Sequence, residues 1–149
     1  MLTTEHKEFL ETPISQYIIP SEKIAHVQEM NTAEHALLVL TKSGYSSIPV
    51  LDATYHLKGL ISVQMITDSM LGLEEIEFGR LNEKKVKDVM RSDIPSLKKE
   101  DQFQFALNLL VDHPFVCVMS PEGYFEGLLT RRVMLKQLQR HIHKQIQRS

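Results

Sequence analysis

Apolar and polar positions follow the same order in two stretches of this chain, residues 24–62 and residues 94–130. Each stretch opens with a strand-like segment and continues into a run whose apolar residues recur at three- and four-residue spacing, which predicts an amphipathic helix. Two short apolar segments follow, and the second ends in a glycine-led tetrapeptide, GLIS at residues 59–62 and GLLT at residues 127–130. A repeat in a chain this short predicts two copies of one supersecondary unit, packed against each other.

Both repeat helices are predicted to begin at a residue that caps helices well. Asn31 with Glu34, and Asp101 with Gln104, have the spacing of the capping box, in which each side chain accepts from an otherwise unpaired backbone N–H. Gly44 is expected to end the first of these helices in a left-handed conformation.

Strands and turns complete each repeat. The predicted strands are Ile48–Leu51, Leu57–Ile61, Val116–Met119 and Phe125–Leu129. The predicted hairpin turns are Asp52–Thr54 and Ser120–Gly123. A helix is expected after each second strand, over Val63–Leu71 and Arg131–Ile146. The last helix carries one apolar stripe, formed by Leu135, Leu138, Ile142 and Ile146. The predicted first helix and this stripe together carry more apolar surface than one pair of repeats can cover, so they predict a homodimer.

The chain is expected to divide into an N-terminal helix and lead-in over residues 1–20, a first repeat over 21–71, a linker over 72–85 and a second repeat with the C-terminal helix over 86–149. Thr3 is expected to cap the first helix, which carries Phe9 and stops near Pro13. The lead-in Ile14–Pro20 corresponds to Val86–Met90 before the second repeat. The linker is charged, and we expect it to be exposed with some helical character.

Composition narrows the class of protein. The 149 residues are 42% hydrophobic and 24% charged, which is typical of a folded domain with its own core. The net charge of -2 argues against nucleic-acid binding, no apolar run is long enough for a membrane span, and the N-terminus lacks a secretory signal. The single cysteine, Cys117, lies in the apolar run FVCVM and is expected to be a buried, inert thiol. Together these features predict a cytoplasmic protein.

No set of catalytic or metal-binding residues stands out. The seven histidines lack metal-ligand spacing, and solvated or capping roles are expected for them. The sequence has no Walker loop, no dinucleotide-binding fingerprint and no Ser–His–Asp order of a hydrolase. We therefore expect no catalytic residue, no metal and no cofactor, and a binding protein rather than an enzyme.

The order strand–helix–strand–strand–helix, present twice with GLIS and GLLT closing the third element, resembles a tandem pair of CBS domains. The run VKDVM at residues 86–90 is also typical of that family. The resemblance covers nearly the whole chain and extends to stand-alone bacterial CBS-pair proteins that bind cyclic di-AMP. It implies an α/β (α+β) fold of two βαββα repeats, nucleotide binding in the clefts between the repeats, and frequent dimerisation.

The chain departs from the family's nucleotide motif at one position of each repeat. The motif has an acidic residue three positions after the Ser or Thr, and this acid holds both hydroxyls of a free ribose. Met65 and Val133 stand there instead, and neither accepts a hydrogen bond from a ribose diol. The departure argues against AMP, ATP and S-adenosylmethionine, and it suits a cyclic dinucleotide, whose ribose 3'-oxygen is already esterified.

Arg131 and Arg132 are the candidate partners for the phosphates of such a ligand. An arginine binds phosphate oxygens with two parallel hydrogen bonds, and a helix N-terminus adds free N–H groups. The alternative is that both arginines lie on a solvated face of the helix. A cation is unfavourable beside the positive end of a helix dipole, however, and a nearby anion would explain why this helix begins with two arginines, so we favour phosphate binding.

The resemblance also implies which residues line each cleft. The first cleft comprises Lys23, Ile24, Ala25, Tyr45, Ser46, Ser47, Ile48, Thr130, Arg131 and Arg132. The opposite cleft comprises Asp93, Ile94, Pro95, His113, Pro114, Phe115, Ser62, Val63, Gln64 and Met65. The first has three cations and the second an acid without Lys or Arg, so a dianionic ligand is expected in the first. Tyr45 either stacks on a base or packs beside Pro49, and the sequence leaves both open.

The resemblance implies a sensor that acts through other proteins. Its ligand-free form is expected to dock on partner enzymes, among them the (p)ppGpp synthetase/hydrolase of the stringent response and pyruvate carboxylase. Two alternatives stay open: an AMP or ATP energy sensor, and a dimerisation module whose clefts hold no ligand.

Overall fold

A computed structural model describes residues 3–71 and 80–148 as a mixed α and β protein. Its helices are α1 (Thr4–Leu10), α2 (Ala33–Ser43), α3 (Val63–Met70), α4 (Val86–Val89), α5 (Phe103–Asp112) and α6 (Arg131–Arg148). Its strands are β1 (Ile19–Pro20), β2 (Val27–Gln28), β3 (Ser47–Leu51), β4 (Leu57–Ser62), β5 (Ser96–Leu97), β6 (Phe115–Met119) and β7 (Phe125–Thr130). The predicted order of two βαββα repeats with an N-terminal helix and a long C-terminal helix is confirmed.

Two compact units form, and each takes segments from both halves of the chain. Unit 1 comprises Met1–Ile24, Pro95–Glu122 and Glu126–Ser149, and unit 2 comprises Ala25–Ile94 and Gly123–Phe125. One sheet has the strand order β1-β7-β6-β5 and the other the order β2-β3-β4. The lead-in before each repeat therefore joins the elements of the other repeat: β1 pairs with β7, and Arg91 forms a bridge with Leu60 on β4.

The glycines of GLIS and GLLT make room for these lead-in segments. A Cβ atom on Gly127 would overlap the carbonyl oxygen of Ile19 on β1, and a Cβ atom on Gly59 would overlap the carbonyl oxygen of Arg91. Gly127 also has a φ of +154°. Glycine alone lets the two backbones approach so closely, which gives the repeated tetrapeptide a structural reason.

Each unit has its own apolar core. The core of unit 2 is formed by Val27, Ala33, Ala36, Leu40, Ile48, Val50, Ile61, Ile66, Met70, Leu81 and Val86. The core of unit 1 is formed by Ile14, Leu97, Phe103, Ala106, Leu110, Val116, Val118, Leu129 and Met134. Cys117 on β6 is buried as predicted, and burial raises the pKa of its thiol to about 12, which disfavours the reactive thiolate.

The two predicted capping boxes are wrong by one residue. Helix α2 is capped by Thr32, whose hydroxyl accepts from the N–H of His35, and α5 begins after Gln102 without a side-chain cap. The side chain of Asn31 accepts instead from the N–H of Gln28, and that of Asp101 from the N–H of Lys98. These two side chains close the turn that precedes each helix, so they are not available as caps.

Other helix ends agree with the sequence. Thr3 caps α1 through the N–H of His6, and Gly44 ends α2 with a φ of +77°. In the described part of the predicted linker, Arg80, Asn82, Glu83 and Lys85 are exposed as expected, but Leu81 is not: it is buried in the core, and its carbonyl accepts from the N–H of Glu34. The rest of the predicted linker, residues 72–79, lies outside the described residues.

Candidate functional site

Each glycine-led tetrapeptide ends where a strand becomes a helix, and its last residue caps that helix. The hydroxyl of Ser62 accepts from the N–H of Met65 at 3.1 Å, and that of Thr130 accepts from the N–H of Val133 at 3.2 Å. The two positions where the family motif has an acid are therefore the third residues of α3 and α6. In this chain both positions carry apolar side chains, and neither adds a charge to its helix N-terminus.

Arg131 is exposed, and its guanidinium makes two hydrogen bonds to other residues of unit 1. Its Nε donates to the carbonyl oxygen of Leu110 at 2.7 Å, and its Nη2 donates to the carbonyl oxygen of Val111 at 3.2 Å. Both carbonyls belong to the last turn of α5, where helix carbonyls lack partners and a cation is favourable. The electrostatic conflict inferred from the sequence is thus resolved for Arg131 by the protein itself, without an anion.

Arg132 is exposed like its neighbour, but within the described residues its guanidinium makes no comparable contact. It is the second residue of α6 and lies at the positive end of the helix dipole. Here the unfavourable placement of a cation at a helix N-terminus persists. An anion bound beside Arg132 would remove it.

The predicted segment Tyr45 to Ile48 leads into β3 of unit 2. Tyr45 and Ser46 are exposed, Ser47 is half-buried, and the side chain of Ile48 lies in the core. Tyr45, Ser46 and Ser47 are therefore accessible to a ligand, whereas the buried side chain of Ile48 anchors the segment in the core.

Lys23, Ile24 and Ala25 lie on the stretch where the chain passes from unit 1 to unit 2. Lys23 ends a short 3-10 turn, Ser21–Lys23, and its side chain is exposed, while Ile24 and Ala25 are half-buried. The combination of the Lys23, Tyr45 and Thr130 segments in one cleft stays a prediction.

Local contacts also join residues that the sequence analysis assigns to different clefts. The N–H of Val63 donates to the carbonyl oxygen of Ser46 at 3.0 Å, and the N–H of Arg131 donates to that of Pro114 at 2.9 Å. Each pair belongs to a single repeat, because the start of one strand in a hairpin lies beside the end of the other. These contacts lie within one repeat, whereas each predicted cleft combines elements of opposite repeats.

Two aromatic clusters were not predicted from the sequence. His6 on α1 and His141 on α6 approach to 2.7 Å between Nδ1 and Nε2, and the His141 ring stacks on Phe9. In unit 2 the ring of Tyr55 packs against His26 and Phe125. The signal for the second cluster is a Tyr at the turn position where the other repeat has Gly123.

Neither a cluster of metal ligands nor a membrane-spanning helix is present in the part of the chain that the structure describes. Over residues 3–71 and 80–148, no three His, Cys, Asp or Glu side chains are placed to share a metal ion. No helix in that part of the chain is both long and apolar enough to cross a lipid bilayer.

Comparison with known proteins identifies the repeats. A CBS domain model matches residues 14–72 and 86–140. Cyclic di-AMP receptor B of Bacillus subtilis is 47% identical over 142 residues, which cover 95% of this chain and 97% of that protein. A CBS domain-containing protein from Bacillus anthracis is 58% identical with a TM-score of 0.83, over 90% of this chain and 97% of that one. The CbpB protein of Listeria monocytogenes in complex with c-di-AMP is 56% identical with a TM-score of 0.82, over 87% of this chain and 97% of that one. Since the family model matches both repeats, the chain belongs to the CBS domain family as a CBS pair.

Proposed function

We propose that this protein is a cytoplasmic receptor for cyclic di-AMP rather than an enzyme. One observation carries the proposal: Arg132 is exposed in the first turn of α6, and Val133 stands beside it where the family motif has a diol-binding acid. This turn offers a phosphate a guanidinium at the positive end of a helix dipole, and at position 133 it offers a ribose diol no acceptor. The names of the Bacillus subtilis and Listeria monocytogenes relatives support the same ligand.

The ligand site is proposed to comprise the first set of cleft residues. In this site, Lys23 and Arg132 would supply positive charge, and Ala25 would leave room for a base. Tyr45, Ser46 and Ser47 would border the base. Arg131 holds α5 and α6 together through the carbonyls of Leu110 and Val111, so we assign the phosphate contact to Arg132.

Titration calorimetry with cyclic di-AMP, cyclic di-GMP, AMP and ATP tests the ligand. Cyclic di-AMP is expected to bind far more tightly than AMP or ATP, because the mononucleotides present a free diol that Met65 and Val133 leave unpaired. ATP binding as tight as that of cyclic di-AMP would support the energy sensor instead. No heat from any nucleotide would support the dimerisation module.

Arg132→Met tests the residue. The methionine keeps much of the apolar part of the side chain and removes the guanidinium. We therefore expect cyclic di-AMP affinity to fall about ten- to a hundredfold, equivalent to roughly 1.5–3 kcal/mol. Gln64→Met is the matched control, because Gln64 is the second residue of α3 as Arg132 is of α6. Its affinity is expected to stay near that of the parent; the reverse pattern would place the ligand in the other cleft.

The output is proposed to be protein–protein contact. The ligand-free form would dock on the (p)ppGpp synthetase/hydrolase and on pyruvate carboxylase, and bound nucleotide would weaken docking, since a ligand shifts an equilibrium only through its different affinity for two states. Biolayer interferometry with each purified enzyme, with and without cyclic di-AMP, tests this. In the same assay Arg132→Met should dock as the parent does and lose its response to the nucleotide.

A further inference from the structure

Tyr55 has a backbone conformation that a bulky side chain rarely adopts. It is the fourth residue of the turn between β3 and β4, and its φ is +71°, the one positive φ outside glycine in the described residues. Gly123 is the fourth residue of the corresponding turn between β6 and β7, with a φ of +92°. Glycine adopts this conformation without strain, whereas a tyrosine does so at a cost in free energy. The first repeat thus carries a bulky side chain at a turn position where the second repeat has glycine.

The ring of Tyr55 contacts two segments that are distant in sequence. It meets His26 edge-on at 5.6 Å between ring centroids and lies at 6.3 Å from Phe125. The carbonyl oxygen of Tyr55 also accepts from the N–H of Phe125 at 3.0 Å. These residues all belong to unit 2, and Phe125 is buried there, so Tyr55 holds His26 against a fixed partner.

Both segments lead directly to residues of the proposed ligand site. His26 follows Lys23, Ile24 and Ala25 in the chain, and Phe125 begins β7, which runs to Thr130 and on to Arg132. The chain leaves unit 2 on either side of the cluster, between Ile24 and Ala25 and between Phe125 and Glu126. Tyr55 therefore ties together, at one point of unit 2, the two segments that carry the proposed cations.

We propose that Tyr55 is a positioning residue for nucleotide binding, which fixes the Lys23–Ala25 segment through His26 and the start of β7 through Phe125. This inference rests on the proposed function for its ligand. The ring of Tyr55 reaches both segments from this point of the turn, which a glycine there does not. A glycine relieves the strain and removes the clamp.

Tyr55→Gly separates the clamp from general stability. Relief of strain and loss of ring packing oppose each other, so the melting temperature of the ligand-free protein is expected to change little. Amide exchange over residues 23–28 and 125–130 is expected to accelerate, and cyclic di-AMP affinity is expected to fall roughly tenfold by calorimetry. Tyr55→Phe keeps the ring and is expected to restore both readouts to those of the parent.

Tyr124→Ala is the control within the same pair of turns. Tyr124 stacks on His56 at 4.4 Å, so its loss removes a neighbouring aromatic contact without removing the Tyr55 ring. We expect a lower melting temperature with parent-like nucleotide affinity. Equal losses of affinity in Tyr55→Gly and Tyr124→Ala would overturn the proposal, and so would parent-like exchange over residues 23–28 in Tyr55→Gly. A parent protein that binds no cyclic di-AMP would refute the proposed function. Amide exchange of the ligand-free parent and Tyr55→Gly would still decide whether Tyr55 fixes the two segments.

Discussion

Arg131 and Arg132 are adjacent in sequence, but their side chains have different electrostatic surroundings. From the sequence alone both are expected to act alike, as two cations at a helix N-terminus. Arg131 reaches the carbonyls of Leu110 and Val111 at the end of α5, which the sequence does not reveal because those residues are some twenty positions away. Arg132 remains exposed at the positive end of α6. Composition and spacing identify a basic pair, and tertiary contacts assign its two members different roles.

Arg131→Met is expected to destabilise the fold, whereas Arg132→Met is expected to leave stability nearly unchanged. The first substitution leaves two C-terminal carbonyls of α5 without their charged donor, at a cost of about 1–2 kcal/mol. The second removes an exposed side chain whose charge is unfavourable at that position. Urea denaturation of both variants measures the difference. Equal free energies of unfolding for the two variants would show that the Arg131 contacts contribute nothing to stability.

Asp52 is a residue whose ionisation should affect stability at low pH. Its carboxylate accepts first from the N–H of His56 and also from the N–H and hydroxyl of Thr54, and these bonds lower its pKa from 3.8 to about 2. A lowered folded-state pKa means that the stabilisation is present above the ordinary pKa and is lost as the pH falls through the folded value.

Asp52→Asn removes this ionisation and keeps a side-chain acceptor for the turn. The difference in melting temperature between parent and variant is therefore expected to be constant near neutral pH and to shrink as the pH falls from about 4 to about 2. Thermal melting across that range measures it. A difference that does not vary with pH would contradict the assignment of the pKa shift to these hydrogen bonds.

At the scale of elements, the sequence predicts the helices and hairpin strands, because a local pattern of apolar residues determines them. Apolar periodicity predicts both repeat helices, and the hairpin strands agree within a residue or so of β3, β4, β6 and β7. The N-caps could not be predicted as well, because Asn31 and Asp101 bind the turn before each helix. The pairing of β1 with β7 could not be predicted either, since it joins residues more than a hundred positions apart. The glycines of GLIS and GLLT were recognised as a family motif, and their structural reason became apparent only from that pairing.

Gly127→Ala is expected to cost about 2–4 kcal/mol in the free energy of unfolding. The added Cβ both overlaps the carbonyl of Ile19 and occupies a positive-φ position, so β1 must move away from β7. Gly44→Ala is the matched control, because its φ of +77° adds strain while no atom lies within 4 Å of the new Cβ. It is expected to cost about 1–2 kcal/mol. Chemical denaturation of both variants compares them, and equal costs would show that overlap with Ile19 is readily relieved.

At the scale of the whole molecule, the apolar surface left over by the fold indicates an association. The apolar side chain of Phe9 on α1 packs on the core of unit 1, as does Leu138 of α6, so the first helix is covered within the chain. The rest of the predicted stripe is not: Leu135 and Ile142 are each 55% exposed and Ile146 is 65% exposed. Sequence periodicity predicted the stripe correctly, but it did not distinguish the part that the chain itself covers from the part that remains.

We expect this remaining stripe to lie in a two-fold interface between two copies of the chain, since a self-complementary contact covers the same surface on both. Light scattering at micromolar concentration should then give twice the chain mass of 17.2 kDa. Ile142→Glu places an unpaired carboxylate in that interface and is expected to weaken the dimer at least about a hundredfold, to a monomer in the same measurement. Lys144→Glu is the control, because residues two apart on a helix point to nearly opposite sides, and it should remain a dimer with an unchanged melting temperature. A monomeric parent would refute the homodimer, and a dimeric Ile142→Glu would place the interface elsewhere than on α6.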